Sequence, residues 1–312
     1  MPTISVIGAS GFIGGHFLNY LLKNSSSEKL RINILAHKRK ISSALPDNVN
    51  VIEGNLLDSS SIINLVEEGG VVINLVYLSK CTHEQNIEAA QNIVNICIKK
   101  GVRRIVHCST AMVVGNAQID LVDERTQCIP ASQYEKTKLA VERVFLGAAS
   151  QNLEVVVLRP TAVFGKNGQN LIKLSHDLKN GNSFINYLKS CIQGSRSFNL
   201  VSIENVVSAL GFLTFYKGNF EREVFLISDD EFENNNYQYV ERYLLKHFLK
   251  KSWYFPRIAL PHGILTILLK LLGKPQRKTR VKFDCGKIKS IGYIKKCSFD
   301  EGLDDFISSL DS

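Results

Sequence analysis

The sequence of 312 residues lacks the features that mark stapled, fibrous or disordered proteins. Its seven cysteines include no Cys-x-x-Cys pair, so we predict no metal site and no disulfide framework, and free thiols favour a reducing compartment. Gly and Pro, at 21 and 7 residues, are too sparse for a collagen-like or low-complexity chain. A hydrophobic content of 45% with 21% charged residues excludes wholesale disorder.

Apolar runs long enough to cross a membrane are also lacking. The longest run, residues 258–272, is interrupted by Pro261 and His262 and is shorter than the ~20 residues that a spanning helix needs. The first residues lead directly into a strand pattern, without the basic and apolar regions of a secretory leader. We therefore expect a cytoplasmic protein that does not span a membrane.

Positive charge is concentrated in one part of the chain. The net charge is +9, and residues 246–289 contain twelve Lys and Arg with Asp284 as their one acidic residue. A solvated surface is the simplest interpretation, an anionic small ligand is the next, and nucleic acid is not expected as a partner. Residues 260–272 within this segment are better explained as a helix that covers the protein than as one that lies on a membrane surface.

Strand-like and helix-like patterns alternate through the first half of the chain. Residues 3–7 form a β-branched strand pattern, and residues 12–23 carry apolar side chains at helical spacing. Further strands are predicted at 31–36, 50–52, 71–76, 104–108 and 155–158, and helices at 84–100 and 134–149. This alternation predicts the α/β class, a doubly wound parallel sheet of the Rossmann type, over residues 1–165. The rhythm breaks near Gly165, so residues 166–312 are predicted to form a smaller C-terminal lobe that also contributes a strand and a helix to the first domain.

A glycine-rich turn follows the first strand. In Gly8-Ala9-Ser10-Gly11-Phe12-Ile13-Gly14 the glycines recur every three residues, at the point where a strand passes into a helix. This spacing gives a tight turn, close approach of pyrophosphate oxygens and backbone N–H groups directed at the anion. We therefore predict that residues 1–165 bind a dinucleotide in this turn, although a purely structural turn would have the same glycines.

The end of the second strand indicates which dinucleotide binds. A carboxylate there would accept hydrogen bonds from a ribose 2′-OH, whereas cations would pair with a 2′-phosphate. The segment 34–40 has no acidic residue and contains His37, Lys38 and Arg39. NADP(H) is thus the preferred cofactor, with NAD(H) as the alternative.

A tyrosine and a lysine lie one helical turn apart at the start of the helix after the fifth strand. Tyr134 and Lys138 share one helix face, and the lysine charge is expected to lower the tyrosine pKa from about 10 towards the range of a general acid or base. Thr110 follows the fifth strand, where it is placed to hydrogen-bond a reacting oxygen. This trio is suited to moving a proton on a hydroxyl while hydride moves at its carbon.

These motifs together resemble the extended short-chain dehydrogenase/reductase superfamily, and within it the NAD(P)-dependent epimerase/dehydratase group that acts on nucleotide sugars. The resemblance covers nearly the whole chain. Its motifs are GASGFIG at 8–14, GNLLD at 54–58, GVRRIVHCSTAMVVG at 101–115, YEKTK at 134–138, LRPTAVFG at 158–165, SRSFNLVSIENVV at 195–207, FLISDDE at 225–231 and FDCGKIKSIGY at 283–293.

The resemblance implies roles for particular residues. Thr110, Tyr134 and Lys138 correspond to the catalytic residues, and Lys138 also corresponds to the residue that holds the nicotinamide ribose. The positions that match cofactor contacts are Gly8, Ser10, Gly11, Phe12, Ile13, Gly14, Asn55, Leu56 and Leu75. Asn170, Arg196 and Arg280 match positions that hold a nucleotide diphosphate, and relatives of this kind dimerise through helices such as 84–100 and 134–149.

Departures from the family pattern narrow the expected reaction. Sugar 4,6-dehydratases have Asp-Glu after the catalytic threonine, and here Ala111-Met112 stands in its place, so dehydration is not expected. Asn55 replaces the usual acidic residue beside the adenine, and Val114 replaces a familiar tyrosine. The chain is thus predicted to be a divergent member.

The leading hypothesis is an oxidoreductase acting at C4 of a nucleotide-linked sugar. A 4-keto-reductase using NADPH is favoured by the basic end of the second strand over a 4-epimerase using bound NAD. The alternatives are a dehydrogenase or reductase of a non-sugar alcohol or carbonyl, steroid-like or flavonoid-like, and a non-enzymatic cofactor sensor. Arg196 and the basic lobe disfavour an apolar substrate, and the Tyr–Lys pair disfavours a sensor.

Overall fold

The computed structural model describes residues 3–24, 30–37, 45–194, 196–249 and 280–310. Its strands are β1 (Thr3–Ile7), β2 (Arg31–Ala36), β3 (Val49–Glu53), β4 (Val71–Asn74), β5 (Arg104–Cys108), β6 (Leu121–Val122), β7 (Glu154–Pro160), β8 (Ala162–Phe164), β9 (Leu200–Ser202), β10 (Arg222–Ile227) and β11 (Lys282–Phe283). Seven of them form one parallel sheet in the order β10-β7-β5-β4-β1-β2-β3. The predicted α/β class and doubly wound parallel sheet are confirmed.

Helices cover both faces of this sheet. They are α1 (Phe12–Asn24), α2 (His83–Lys99), α3 (Gln133–Gly147), α4 (Gln169–Asn180), α5 (Ser183–Gln193), α6 (Ile203–Phe215), α7 (Tyr237–His247), α8 (Gly286–Ser290) and α9 (Phe299–Ser308). The helices α1 and α6 pack on one face through side chains such as Phe17 and Leu210, and α2 and α3 pack on the other through Ile93 and Phe145. Because both faces are covered, every residue of β4 and β5 is buried, which explains their nearly continuous apolar sequences.

The later part of the chain contributes to the sheet and also has a core of its own. β10 pairs in parallel with β7 at the sheet edge, although the sequence patterns did not place a strand there. A separate apolar cluster packs α4, α7 and α9 together, with Leu171, Leu244 and Phe306 fully buried in it. Short pairs β8–β9 and β6–β11 connect this region to the ends of the main strands.

The fourth strand ends two residues earlier than predicted. Its last residue is Asn74, whose Oδ1 accepts a hydrogen bond from the Val76 amide at 3.3 Å and so turns the chain out of the sheet. Predictions about residues 250–279, including the proposed covering helix and most of the basic segment, lie outside the described residues.

A buried arginine connects the sheet to the end of α6. Arg104 is fully buried, and its guanidinium donates to Glu154 and to the carbonyl oxygens of Leu213, Tyr216 and Gly218 at 2.8–2.9 Å. These carbonyls follow or end α6, so the arginine satisfies acceptors that a helix end leaves without partners. Among the described residues, no helix combines the length and apolar character needed to cross a bilayer.

Candidate active site

The candidate site lies at the carboxyl edge of the sheet, where the strand order changes direction. β1 has β2 on one side and β4 on the other, so the chain leaves the sheet in opposite directions on the two sides of β1. In open α/β sheets, such a crevice is where ligands bind. The glycine turn after β1, the loop after β4 and the turn after β5 all reach this edge.

The glycine turn has the geometry that its spacing predicts. Gly8 has φ +94°, a conformation that favours glycine, and the Gly11 amide donates to the Gly8 carbonyl at 3.0 Å. A Cβ on Gly14 would lie 2.0 Å from the Gly8 oxygen, so α1 can approach β1 this closely only with glycine there. Ser10 and Gly11 are exposed at the tip of the turn.

The start of α1 fits the phosphates of a dinucleotide. The first backbone bond of the helix runs from the Gly15 amide to the Gly11 carbonyl at 2.8 Å, so the amides of Phe12, Ile13 and Gly14 precede the helical ladder. The first turn of α1 contains no acidic residue. An anion would therefore be stabilised at this helix start by the amides that precede the ladder and by the helix dipole.

The other predicted cofactor contacts are arranged along the same edge. Leu56 and Lys138 line one small pocket, and Leu75 continues β4 through a hydrogen bond from its amide to the Ile7 carbonyl at 2.9 Å. His37 is exposed with Nδ1 3.1 Å from the Gly54 carbonyl, and the exposed Asn55 accepts from the Leu57 amide through Oδ1. Lys38 and Arg39 lie outside the described residues, so the cofactor preference stays a prediction.

The structure brings the predicted catalytic residues together. Tyr134 is in the first turn of α3 and is 39% exposed, while Thr110 and Lys138 are buried. The Lys138 ammonium donates to the Cys108 carbonyl at 2.9 Å, and the Thr110 hydroxyl accepts from the Met112 amide at 3.2 Å. The start of α3 is fixed by a reciprocal pair of hydrogen bonds between Ser132 and Glu135.

The expected lowering of the Tyr134 pKa is wrong. Partial burial raises the pKa of the Tyr134 phenol, and nearby Cys108 and Tyr77 raise it further, while a hydrogen bond with Thr110 lowers it. Lys138 is fully surrounded by protein, and burial lowers the pKa of its ammonium. Its charge is directed at the Cys108 carbonyl, and the phenol is therefore protonated near neutral pH.

Behind Lys138, one more helical turn along α3, Glu142 is buried in an ion pair. Its carboxylate accepts from Arg159 Nε at 3.0 Å and from a terminal guanidinium nitrogen at 2.5 Å. Glu142 also raises the pKa of Lys138, opposing the effect of burial. The sequence motif ends at Lys138, so this carboxylate was not predicted. Its position could have been noticed because Tyr134, Lys138 and Glu142 follow one another at intervals of four residues.

The structure places two residues near the site that the sequence analysis did not assign to it, Tyr77 in the loop after β4 and Met112 in the turn after β5. Tyr77 packs edge-on against the Tyr134 ring, with centroids 4.9 Å apart and an interplanar angle of 85°. Met112, two residues beyond Thr110, is 41% exposed although it is apolar. The signal for Tyr77 was its position three residues after a buried strand at the carboxyl edge, where ligand contacts concentrate.

The predicted substrate residues do not all meet in one place. Arg280 lines a polar pocket of about 270 Å³ together with Ser197, Asp230 and Lys282, and Arg196 directly precedes Ser197. Asn170 does not line this pocket and donates from Nδ2 to the Val163 carbonyl at 2.6 Å. Within the described parts of the chain, no group of three or more His, Cys, Asp and Glu side chains is placed to hold a metal ion.

Comparisons with known proteins agree with this arrangement. The model of the NAD dependent epimerase/dehydratase family matches residues 4–220. The sterol-4-alpha-carboxylate 3-dehydrogenase of Schizosaccharomyces pombe is 31% identical over 196 residues, which are 58% of this chain and 56% of that protein. The UDP-N-acetyl-alpha-D-glucosaminuronate decarboxylase of Bacillus cytotoxicus is 27% identical over 174 residues, or 51% and 54% of the two chains.

A likeness to solved structures extends over the whole fold. The dTDP-glucose 4,6-dehydratase of Bacillus anthracis, solved with NAD, superimposes with a TM-score of 0.75 and 19% identity over 100% of this chain and 97% of that chain. The chain spans about half the length of the curated relatives it matches.

Proposed function

The chain belongs to the NAD dependent epimerase/dehydratase family, and on that premise we propose that it is an NAD(P)-dependent oxidoreductase acting at C4 of a nucleotide-linked sugar. The reaction is either 4-keto reduction with NADPH or 4-epimerisation with bound NAD. The observation that carries the proposal is the convergence of Thr110, Tyr134 and Lys138 at the sheet edge that also holds the glycine turn. Dehydration is excluded from the proposal because the two positions after Thr110 are Ala111 and Met112 and carry no carboxylate.

The side chains divide the proton chemistry among them. When bound, the nicotinamide supplies or accepts the hydride. Tyr134 gives its phenolic proton to the substrate oxygen in the reducing direction and takes it back in the oxidising direction. Thr110 orients that oxygen, and Lys138 holds the nicotinamide ribose while its ammonium is fixed on the Cys108 carbonyl.

The cations that follow β2 favour the reductase over the epimerase. They support NADPH, the cofactor that a reductase consumes, whereas an epimerase retains bound NAD.

A nucleotide diphosphate is the substrate group that suits the smaller lobe. Arg280 and Lys282 line one pocket together with Asp230 and Glu233, and Arg196 directly precedes Ser197 in its lining. Guanidinium groups bind phosphates through paired hydrogen bonds. A bacterial relative is named for its action on a UDP-sugar. We also propose a homodimer formed through α2 and α3, whose outer faces include the exposed Ile98.

A sterol-like or other apolar alcohol is the second candidate substrate. The relative with 31% identity is named as a sterol dehydrogenase, and Met112 presents an exposed apolar side chain beside Thr110. Such a substrate would use the same three catalytic residues and would have no phosphate for Arg280 and Lys282 to bind.

Thermal unfolding with paired ligands tests the proposal. The full chain is scanned with NADP(H) or NAD(H) alone and with UDP-, dTDP- and GDP-sugars or a 3-hydroxysteroid, since a ligand that binds the folded state raises the melting temperature. We expect NADPH to stabilise the protein, and one nucleotide-sugar class to add a further shift. That class is then assayed as the 4-keto-sugar for NADPH oxidation. Stabilisation by the steroid with no response to any nucleotide sugar would contradict the proposal.

A further inference from the structure

Tyr77 lies in the loop after β4, and asparagine side chains hold the backbone on both sides of it by hydrogen bonds. On the amino side, Asn74 Oδ1 accepts from the Val76 amide, and Asn74 Nδ2 donates to Nδ1 of the buried His107 at 3.1 Å. On the carboxyl side, Asn86 in α2 forms hydrogen bonds with both the backbone amide and the backbone carbonyl of Leu78. Its Oδ1 accepts from the amide at 3.0 Å, and its Nδ2 donates to the carbonyl at 3.1 Å.

Both asparagines are buried, so these contacts are protected from water. Asn74 is 3% and Asn86 is 5% exposed. A buried amide that pairs both its oxygen and its nitrogen with neighbouring groups has little freedom to rotate. The backbone on either side of Tyr77 is therefore fixed without a ligand, and this restricts where the aromatic ring can lie.

The Tyr77 ring packs against the ring of Tyr134. The two rings meet at nearly a right angle, with centroids 4.9 Å apart, the edge-to-face geometry that aromatic pairs prefer. Tyr134 is in the first turn of α3 and 39% exposed, so its side chain has open space on the ligand side. Contact with Tyr77 restricts the rotation that this exposure would otherwise permit.

We propose that Tyr77 is a positioning residue for Tyr134: Asn74 and Asn86 fix the backbone on either side of Tyr77, and its ring then holds the phenol of the proton donor beside Thr110. The inference rests on the proposed role of Tyr134 as acid and base. Tyr77 acts through the Tyr134 ring, so the aromatic ring of Tyr77 is the part that matters and its own hydroxyl is dispensable.

Three substitutions distinguish the effect of the Tyr77 ring from the effects of its hydroxyl and of its volume. Tyr77→Phe keeps the ring, Tyr77→Leu keeps much of the volume without an aromatic edge, and Tyr77→Ala removes both. Tyr20→Ala, which removes a half-buried tyrosine from α1, is the control. Melting temperatures establish that each variant is folded before it is compared.

The first readout needs no substrate. The full chain is labelled with tyrosine carrying ¹³C at Cζ, and the Tyr134 resonance among the ten tyrosines is identified by its loss in Tyr134→Phe. The groups that act on this phenol are Thr110, Tyr77, Cys108 and Glu135. Without the Tyr77 ring the phenol is more exposed to solvent, so Tyr77→Ala and Tyr77→Leu should lower its titration midpoint. Tyr77→Phe should shift it less, and Tyr20→Ala should leave it unchanged.

The second readout is steady-state reduction of the nucleotide 4-keto-sugar. We expect kcat to fall about tenfold in Tyr77→Ala and Tyr77→Leu, with KM changed less than about threefold, and Tyr77→Phe to stay within about threefold of the parent. Unchanged titration and kcat in Tyr77→Ala, a Phe variant as impaired as Ala, or a rise in KM alone would each overturn the inference. If no nucleotide sugar is turned over, the proposed function fails, and the titration still decides the role of Tyr77.

Discussion

The Lys138 ammonium lies 2.9 Å from the carbonyl oxygen of Cys108, the last residue of β5. This hydrogen bond joins α3, which carries Tyr134, to the strand that leads into Thr110 two residues later. The sheet therefore fixes the position of the lysine. The ammonium interacts with the Cys108 carbonyl more strongly than with the Tyr134 phenol. Its contribution to the site is to hold helix and strand together and to present an ammonium in a buried position.

Lys138→Met should abolish most activity while leaving a folded protein. The variant loses the Lys138 ammonium and leaves the Cys108 carbonyl without that donor, so we expect kcat/KM to fall at least ~100-fold. The melting temperature should fall modestly, because the Cys108 carbonyl loses a buried hydrogen bond while methionine fills a similar volume. Lys136→Met, two residues away on the exposed side of the same helix, should retain activity. Equal activity in both variants would remove Lys138 from the mechanism.

Tyr134→Phe should remove the proton donor without disturbing cofactor binding. We expect at least ~100-fold lower kcat, the lower end of what acid–base catalysis contributes, and an unchanged Kd for NADPH measured by its fluorescence. Tyr243→Phe, which removes a distant hydroxyl bonded to Asp304, is the matched control. Full turnover by Tyr134→Phe would show that another group moves the proton.

The architecture could be predicted from the sequence because local patterns determine it. The fully buried strands β4 and β5 and the amphipathic α1 and α2 follow from periodicity, and the Gly8 turn follows from spacing. Thr110, Tyr134 and Lys138 could be named because each is placed by its position relative to a strand end or a helix start.

Other parts of the site depend on contacts between distant segments. Tyr77 contacts Tyr134, which is 57 positions later in the chain, and Glu142 of α3 pairs with Arg159 of strand β7. The pKa of Tyr134 was predicted with the wrong sign because the spacing to Lys138 was visible in the sequence, whereas the burial of the phenol and the Cys108 carbonyl that binds the ammonium were not.

Acid should destabilise the protein through His107. This ring is fully buried against Phe145, and burial and the Lys138 charge hold its pKa well below its usual value of about 6.5. The folded state thus keeps the ring neutral while the unfolded chain binds a proton. The resulting stability is present above about pH 6.5 and is lost as the pH falls towards the lower folded-state pKa.

His107→Gln isolates this contribution, because glutamine offers an oxygen to Asn74 and does not titrate. The free energy of unfolding, measured by urea at pH 7.5 and 5.5, should fall less steeply with acid in the variant than in the parent. His176→Gln, at an exposed position of α4, is the matched control. Parallel slopes for parent and His107→Gln would mean that the buried ring titrates normally.

Arg104→Lys should destabilise the fold more than a conservative change suggests. Lysine keeps the charge and cannot reach Glu154 and three carbonyls at once, so buried acceptors lose their donors. We expect a loss of about 3 kcal/mol in the free energy of unfolding, measured by urea denaturation. Arg103→Lys, the exposed neighbour, should cost less than about 0.5 kcal/mol. Similar losses for both variants would show that the buried network contributes nothing specific.

The cofactor preference should depend on the cations after β2. If Lys38 and Arg39 pair with a 2′-phosphate, replacing them with Asp and Ser removes charge-assisted hydrogen bonds and adds a carboxylate that accepts from a free 2′-OH. The ratio of the NADPH and NADH dissociation constants, measured by nucleotide fluorescence, should shift at least about tenfold towards NADH, since one such bond corresponds to about that factor. Lys23→Asp, at the exposed end of α1, changes the net charge by −2, against −3 in the double variant, and should leave the ratio unchanged, which separates a local contact from a general effect of net charge. An unchanged ratio in the double variant would remove the basis for NADPH and would favour the 4-epimerase with bound NAD, because its cofactor carries no 2′-phosphate.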